Sequence, residues 1–437
     1  MTEGEAHITA REARQAPGGQ RRNLWMLLLL TLVGTCSSID RSIVSTVTEP
    51  VRREFHLSDA QLGLFTGLAF SITYALVVLP AGAIADRVNR RKLMAAALAA
   101  WTAATMVTGL VRSYALLLVA RMGVGAGESS GQPAVLSSVA DLFPASRRST
   151  AIAIYYLSAP LSVLVAGALG ALLTADYGWR IAMAAVAFPG LVLSVVLLFS
   201  PDIPRVAAIP RESARGSQAP PSFWEVVKFV ISQRSLVHVA VGVALATGVS
   251  SSLGSFSFSF FLRYHDLSLK KLGLLYGLGS AFLLLVSILG GGLIADRLAR
   301  RDPTRRLWVI IAVLLVAVPA IIIGLISPSP AVALPGYLFS GVVTGVWFGP
   351  AMGTAQNLVT PQMRSRVAAI LLVLQNVIGV GLGPTITGVV SDLWRAHTHA
   401  DGLRFALIVT ALVGLWAALH FVLANRTLNR DLARASA

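Results

Sequence analysis

Four Asp, Glu, Lys or Arg residues fall inside the long apolar runs of this chain: Asp40, Arg41, Arg121 and Glu128. A charge at the centre of a bilayer costs at least about 2.5–3.5 kcal/mol, so such residues usually face a cavity and partner one another. Arg121 and Glu128 are seven positions apart, about two helical turns, and share one helix face. Asp40 and Arg41 are adjacent and must diverge by about 100° around their helix. One acid and one base on each of two helices permits crossed pairing. A carboxylate neutralises readily when desolvated, which makes Asp40 and Glu128 the expected proton-coupling pair. Arg41 offers a permanently charged planar fork suited to phosphate or carboxylate. Two blander readings stand beside these. Asp40 and Arg41, about two thirds along their run, could only snorkel to the outer interface, and Arg121 with Glu128 could form a purely structural pair.

The elements that position these residues are membrane spans. The chain has 437 residues, 55% hydrophobic and 13% charged, with a mean hydropathy of +0.72, whereas a soluble protein carries about a quarter charged residues. A spanning helix needs about 20 apolar residues. Apolar stretches run over 24–46, 61–84, 93–111, 114–138, 149–173, 181–199, 236–262, 272–294, 307–326, 331–356, 367–390 and 405–424, giving twelve spans. This leaves no room for a separate catalytic domain, so no catalytic residue is expected. The single Cys36 can form neither an intrachain disulfide nor a thiolate metal site, so no metal and no cofactor is expected. The organisation read from the runs is a cytoplasmic tail over 1–23 and a six-helix bundle over 24–199. A Pro- and Arg-rich cytoplasmic linker over 200–235, a second bundle over 236–424 and a cytoplasmic tail over 425–437 follow. In the linker, Ser222 and Glu225 have capping-box spacing, and the apolar residues after them suggest a short interfacial helix or an early start of span seven.

Net charge is +16, and 25 of the 36 Lys and Arg residues fall on the face that carries both termini, against 9 on the other face and 2 within spans. That asymmetry is the positive-inside pattern. It predicts that both termini are cytoplasmic, and it disfavours nucleic acid as the partner of the basic charge.

The halves share a motif. After span two the chain reads Gly82-Ala-Ile-Ala-Asp86-Arg87-Val-Asn-Arg90-Arg91, and after span eight Gly292-Leu-Ile-Ala-Asp296-Arg297-Leu-Ala-Arg300-Arg301, all five positions displaced by 210 residues. A looser echo links Pro144 and Arg147 to Pro361 and Arg364. Glycine permits close helix approach, and Asp at a helix end can accept hydrogen bonds from a neighbouring helix N-terminus. These ten residues are therefore expected to form a gating latch on the cytoplasmic side. The repeated motif in a twelve-span chain resembles the signature of the major facilitator superfamily from about residue 24 to 424. The resemblance implies an all-α membrane fold of two pseudo-symmetric six-helix bundles, each of three-helix inverted repeats, with the site near the midplane between them.

A narrower resemblance rests on Ile39-Asp40-Arg41, Asp59-x-Gln61-Leu-Gly63-Leu, Gly123-Val-Gly125-Ala-Gly127-Glu128 and Arg263-Tyr-His265-Asp-Leu-Ser. These look like the Spinster family of lipid transporters, although Ser37 and Ser38 stand where that family commonly has Asn-Tyr. The resemblance implies proton-linked export of lysophospholipid or sphingosine-phosphate type amphiphiles, with the span-one acid as proton site and Arg41 and Arg121 meeting substrate. The partners expected are the bilayer, an amphiphilic small molecule and protons, for a chain acting as a monomer. A carrier of small organic anions is the nearest alternative, supported by the polar Gln356, Asn357, Gln375 and Asn376. A non-transporting lipid receptor or a scramblase is an alternative of another class. Gly123, Gly125 and Gly127 are read as close helix packing, Gly379 to Pro384 as a bend, His397 and His399 as a solvated loop, and the phenylalanines 256, 258, 260 and 261 chiefly as bilayer contacts.

Overall fold

The computed structural model describes residues 17–85, 88–203, 223–360 and 362–436. Twelve rods and one short surface helix account for nearly all of them. We number them α1 (Pro17–Phe55), α2 (59–85), α3 (Arg90–Thr108), α4 (Tyr114–Leu142), α5 (145–177), α6 (Trp179–Phe199), α7 (Phe223–Ser232), α8 (Arg234–Tyr264), α9 (Leu269–Ala299), α10 (Trp308–Ile326), α11 (330–357), α12 (364–398) and α13 (Leu403–Ser436). Ten rods are long and apolar enough to cross a membrane. The other two, α3 and α4, are diluted by Arg90, Arg91 and Lys92 and by a Gly- and Ser-rich stretch around Glu128. They are nonetheless continuous helices of the N-terminal half. The fold is the all-α arrangement of two six-helix bundles.

Both described chain ends lie on what we call the terminal face; the opposite side is the far face. Helix starts are set locally. Ser58 and Gln61 form a reciprocal capping box that opens α2 after a left-handed His56. Asn89, Ser113 and Ser268 each cap the first turn of α3, α4 and α9. The first helix continues past the apolar run that ends at residue 46, through Glu49, Arg52 and Arg53, to Phe55. Helix geometry persists where hydropathy stops, because the last turns leave the apolar layer and their charges pair with one another. Asp40 therefore lies well inside a 39-residue helix rather than near its outer end. The linker carries a helix of its own, α7, whose Val226 and Val230 are buried while Trp224 and Ile231 are exposed. Ser222 of the capping box lies outside the described residues, as do the tail before Pro17 and Pro361.

The cores reveal how the halves meet. One apolar cluster belongs wholly to the N-terminal half and runs from Met26 to Ile203 on the terminal side. The other joins the far-side part of that half, including Ile43, Val47 and Phe65, to the C-terminal half. The bundles thus share a core towards the far face and part towards the terminal face. Where they touch, α2, α5 and α12 each relax into a π-helical stretch, at Leu64–Leu68, Ala166–Gly170 and Gln375–Leu382. A Cβ on Gly67 would lie 2.5 Å from the Gly381 carbonyl oxygen, so α2 and α12 can approach this closely only with hydrogen at that position. The Gly379–Pro384 segment is accordingly a π-helical contact surface, with the widened turn satisfying its own backbone. Phe256, Phe258, Phe260 and Phe261 are not bilayer contacts: all four are fully buried, Phe258 against Tyr276 and Phe260 and Phe261 against Tyr337 of the C-terminal half. Spread around the helix rather than along one face, they are covered because α8 is enclosed on nearly every side and buries the intervening serines as well. His397 is likewise in the last turn of α12, not in a loop, and His399 is its left-handed cap.

Candidate functional site

Between the halves lies a cavity of about 310 Å³. Its lining includes Arg41, Ser42, Ser45, Phe70 and Arg121 from the N-terminal half and Ser251, Ser255, Phe258 and Tyr276 from the other. Helix geometry separates Asp40 from Arg41 as their adjacency requires. The Arg41 side chain is 34% exposed, towards the cavity, whereas Asp40 is buried and faces the Thr105 hydroxyl and the Trp101 indole of α3.

The crossed pairing is realised in part. The Nε of Arg41 lies 3.4 Å from Glu128 Oε2. Ser37 bridges the two: its hydroxyl donates to Glu128 Oε2 at 3.0 Å and accepts from Arg41 Nη2 at 3.1 Å. Arg121 donates to the backbone carbonyl of Asp40 at 3.3 Å and lays its guanidinium 4.9 Å over the Phe70 ring. Phe70 also lies 6.0 Å from the Arg41 guanidinium carbon, so one ring face region supports both cations. Glu128 Oε1 and Arg121 Nε remain buried without a hydrogen bond. The close packing this demands comes from α4's glycines. A Cβ on Gly127 would fall 2.7 Å from the Trp101 Cβ. Two acids and two bases are thus held in one cluster, with both arginines at the cavity wall and both carboxylates buried behind them. Gln356 and Asn357 are exposed at the terminal end of α11 and do not line it.

A second constellation closes the far face, and sequence spacing did not reveal it. Asp59, at the start of α2, is fully buried. It accepts from Arg263 of α8 at 2.7 and 3.1 Å, from Arg395 of α12 at 3.0 Å and from the Ser391 hydroxyl at 2.6 Å. Arg263 also donates to Glu49 of α1 at 3.0 Å. Asp392 of α12 caps α2 from across the interface, accepting the backbone N–H groups of Asp59 at 3.1 Å and Ala60 at 2.9 Å. Lys270 and Asp176 add a more exposed pair at 2.5 Å. The partners of Asp59 and Arg263 are 204 to 336 residues away in the chain, which is why spacing was silent. The available signal was charge: Asp59 and Arg263 had no local partner on the face that carries few basic residues.

At the terminal face three ion pairs each stay within one half. Arg90 pairs with Asp141 at 2.5 Å and Arg91 with Asp202 at 2.8 Å, while Arg91 also donates to the Ser200 carbonyl. In the second motif copy, Asp296 is largely exposed and meets Arg306 at 3.3 Å, Gly292 has open space beside it, and Arg297, Arg300 and Arg301 are exposed. Asp86 and Arg87 lie outside the described residues, as does the surrounding of Gly82. Higher up, Tyr156 of α5 and Phe348 of α11 meet edge-on at 5.3 Å.

The family profile described as Major Facilitator Superfamily matches residues 30–384. An MFS-type efflux pump of Mycolicibacterium smegmatis is 30% identical over 419 residues, covering 95% of each chain. Protein spinster homolog 1 of Rattus norvegicus is 27% identical over 465 residues, covering 99% of this chain and 86% of its own. Among solved structures, a bacterial homolog of the human lysosomal transporter Spinster, inward-facing and unoccupied, superposes with a TM-score of 0.82 at 26% identity, covering 94% of this chain and 98% of that one. With a twelve-helix fold, a repeated motif and these relatives in agreement, the chain belongs to the major facilitator superfamily and is a Spinster-like transporter.

Proposed function

We propose that this chain is a proton-coupled transporter of an anionic amphiphile, of lysophospholipid or sphingoid-phosphate type, working by alternating access. The observation that carries the reading is the division of labour in the central cluster: Arg41 reaches the cavity while its charge is held by buried Glu128, one residue from buried Asp40. An anionic headgroup arriving at Arg41 competes with Glu128 for the same guanidinium. A carboxylate deprived of its cation in a dry site takes up a proton, so substrate and proton occupancy become linked. Val44, Val163, Phe258 and Val380 supply apolar wall for a tail.

We read the terminal face as cytoplasmic, on the distribution of basic residues, and the membrane as a bacterial inner membrane. With the far-face clamp engaged, the state described is inward-facing. The working unit is a monomer of two bundles joined by the 200–235 linker, and the repeated motif residues act as a latch on the cytoplasmic side in the opposite state.

A second reading, a carrier of small organic anions, is favoured by the cavity itself, since about 310 Å³ lies at the lower end of the roughly 300–1,000 Å³ of small-molecule pockets. One experiment separates them: thermal-shift screening against lysolipids, sphingoid phosphates and organic acids, followed by flux of the hit in liposomes with and without a pH gradient. Lysolipid flux that responds to the gradient supports the first reading, and organic-acid flux the second. Binding without flux, or gradient-independent lipid flip, would make the protein a receptor or a scramblase.

A further inference from the structure

His265 lies at the far face, between α8 and α9, two residues beyond Arg263. It is 3% exposed, and its ring packs against Phe260 at 5.4 Å and Phe261 at 5.5 Å. Those rings in turn lie 5.5 and 5.3 Å from Tyr337 of α11. Neither imidazole nitrogen bonds a side chain; the Pro328 backbone is the polar group beside the ring. The charged and titratable groups around it come from several elements. From α13 it faces Arg404, whose guanidinium sits 4.4 Å over the Tyr264 ring and whose backbone N–H donates to the Tyr264 hydroxyl at 3.1 Å. From α8 it follows Arg263 and Tyr264, and from the turn before α11 it meets the backbone of Pro328. Asp266 follows His265 directly in the chain, and Asp401, on the turn before α13, is directed to Arg263 at 3.8 Å and Arg395 at 3.7 Å. Burial first, and the Arg404 charge second, push the imidazole below its ordinary 6.5, with the Pro328 backbone opposing.

We propose that His265 is a proton sensor of the far-face clamp: a proton on its ring places a cation beside Arg404 inside an aromatic box, the ring leaves the box, and Arg263 is drawn off Glu49 and Asp59, opening the far face. The closed form holds the ring neutral, whereas an opened form admits water and lets it titrate near its ordinary value. The open form therefore binds the proton more tightly, and the preference for the closed form, complete above about pH 6.5, is lost as pH falls towards the lowered value. The inference rests on the clamp and not on the substrate, so it can fail while the transport reading survives, and the reverse.

The test uses the full chain in lipid nanodiscs, with spin labels on Arg112→Cys and Ala400→Cys, exposed far-face positions in opposite halves, in a Cys36→Ser background. Distance distributions are recorded from pH 8 to pH 5. The long-distance population should rise in the parent as pH falls below about 6.5. His265→Gln should lose that rise, and His265→Lys should show the long distance already at pH 8. Should the lysine variant not fold, judged by its melting temperature at pH 8, His265→Asn serves as a second neutral variant and must behave as His265→Gln. A parent that stays closed to pH 5, or a glutamine variant that opens with the parent's midpoint, overturns the proposal. An acid response kept in His265→Gln but lost in Asp59→Asn or Glu49→Gln also overturns it and assigns the proton to the clamp carboxylates.

Discussion

The smallest decisive fact is that adjacent residues do different work. Asp40 turns into the N-terminal bundle and Arg41 out to the cavity, a separation already fixed by the 100° step of a helix. What the step could not reveal is the bridge from Ser37, whose hydroxyl contacts both Arg41 and Glu128. If Asp40 carries the transported proton, Asp40→Asn should abolish pH-driven movement in liposomes while leaving the melting temperature close to the parent's; coupling retained with a pH-sensitive dye inside would remove Asp40 from the role. Arg41 tests the other side of the cluster. Because it neutralises a buried carboxylate, Arg41→Ala should lower stability by roughly 3–5 kcal/mol, the cost typical of orphaning a buried charge, and Glu128→Gln in the same chain should restore most of it. Headgroup recognition has a separate signature. In the Glu128→Gln background, Arg41→Lys should still weaken binding of a phosphate-bearing ligand, since lysine keeps the charge and loses the bidentate fork.

Helices are where sequence was most and least informative. All twelve rods were visible as apolar runs. Ends were harder to see. Glu49, Arg52 and Arg53 interrupt the hydropathy of α1 without interrupting its hydrogen bonds, so the run stops nine residues before the helix does. The buried phenylalanines of α8 were misplaced for a related reason: periodicity cannot distinguish lipid from a neighbouring helix as the apolar partner of a face. The glycines make two distinguishable predictions. Gly127 contacts Trp101 within one bundle, so Gly127→Val should destabilise the protein as a whole, by about 1–3 kcal/mol of overpacking. Gly67 contacts Gly381 across the interface, so Gly67→Val should leave each bundle intact. Its melting temperature should stay near the parent's while far-face spin-label distances lengthen; a fall in melting comparable to that of Gly127→Val, with unchanged distances, would contradict this division.

For the whole molecule, the two faces differ in kind. Arg263 and Arg395 join the halves through Glu49 and Asp59 at the far face, whereas Arg90–Asp141, Arg91–Asp202 and Arg306–Asp296 at the terminal face each tie one half to itself. Asp59→Asn should therefore act on the balance between states more than on folding. Removing the charge that Arg263 and Arg395 share should cost the closed far face roughly 3–5 kcal/mol, shifting its population by two orders of magnitude or more, measurable as accessibility of a far-face cysteine to a charged maleimide. Lys270→Ala should change little, because the pair with Asp176 is half exposed and such pairs contribute about 0–1 kcal/mol. Equal effects from the two variants would mean that burial does not set the strength of the clamp.

The side-chain partners of Asp59, and the Asp392 acceptor of the Asp59 and Ala60 N–H groups, all lie on the opposite half. Losing one contact by a small rocking motion would strand a buried carboxylate with the rest of its shell strained, while losing them together lets water replace all of them at once. Intermediate separations are therefore the least comfortable, and the far face behaves as an all-or-none toggle rather than a hinge with a continuous range. In single-molecule fluorescence recordings this feature should appear as two discrete dwell levels with abrupt jumps, and Asp59→Asn should blur them into a broad, gradually wandering signal.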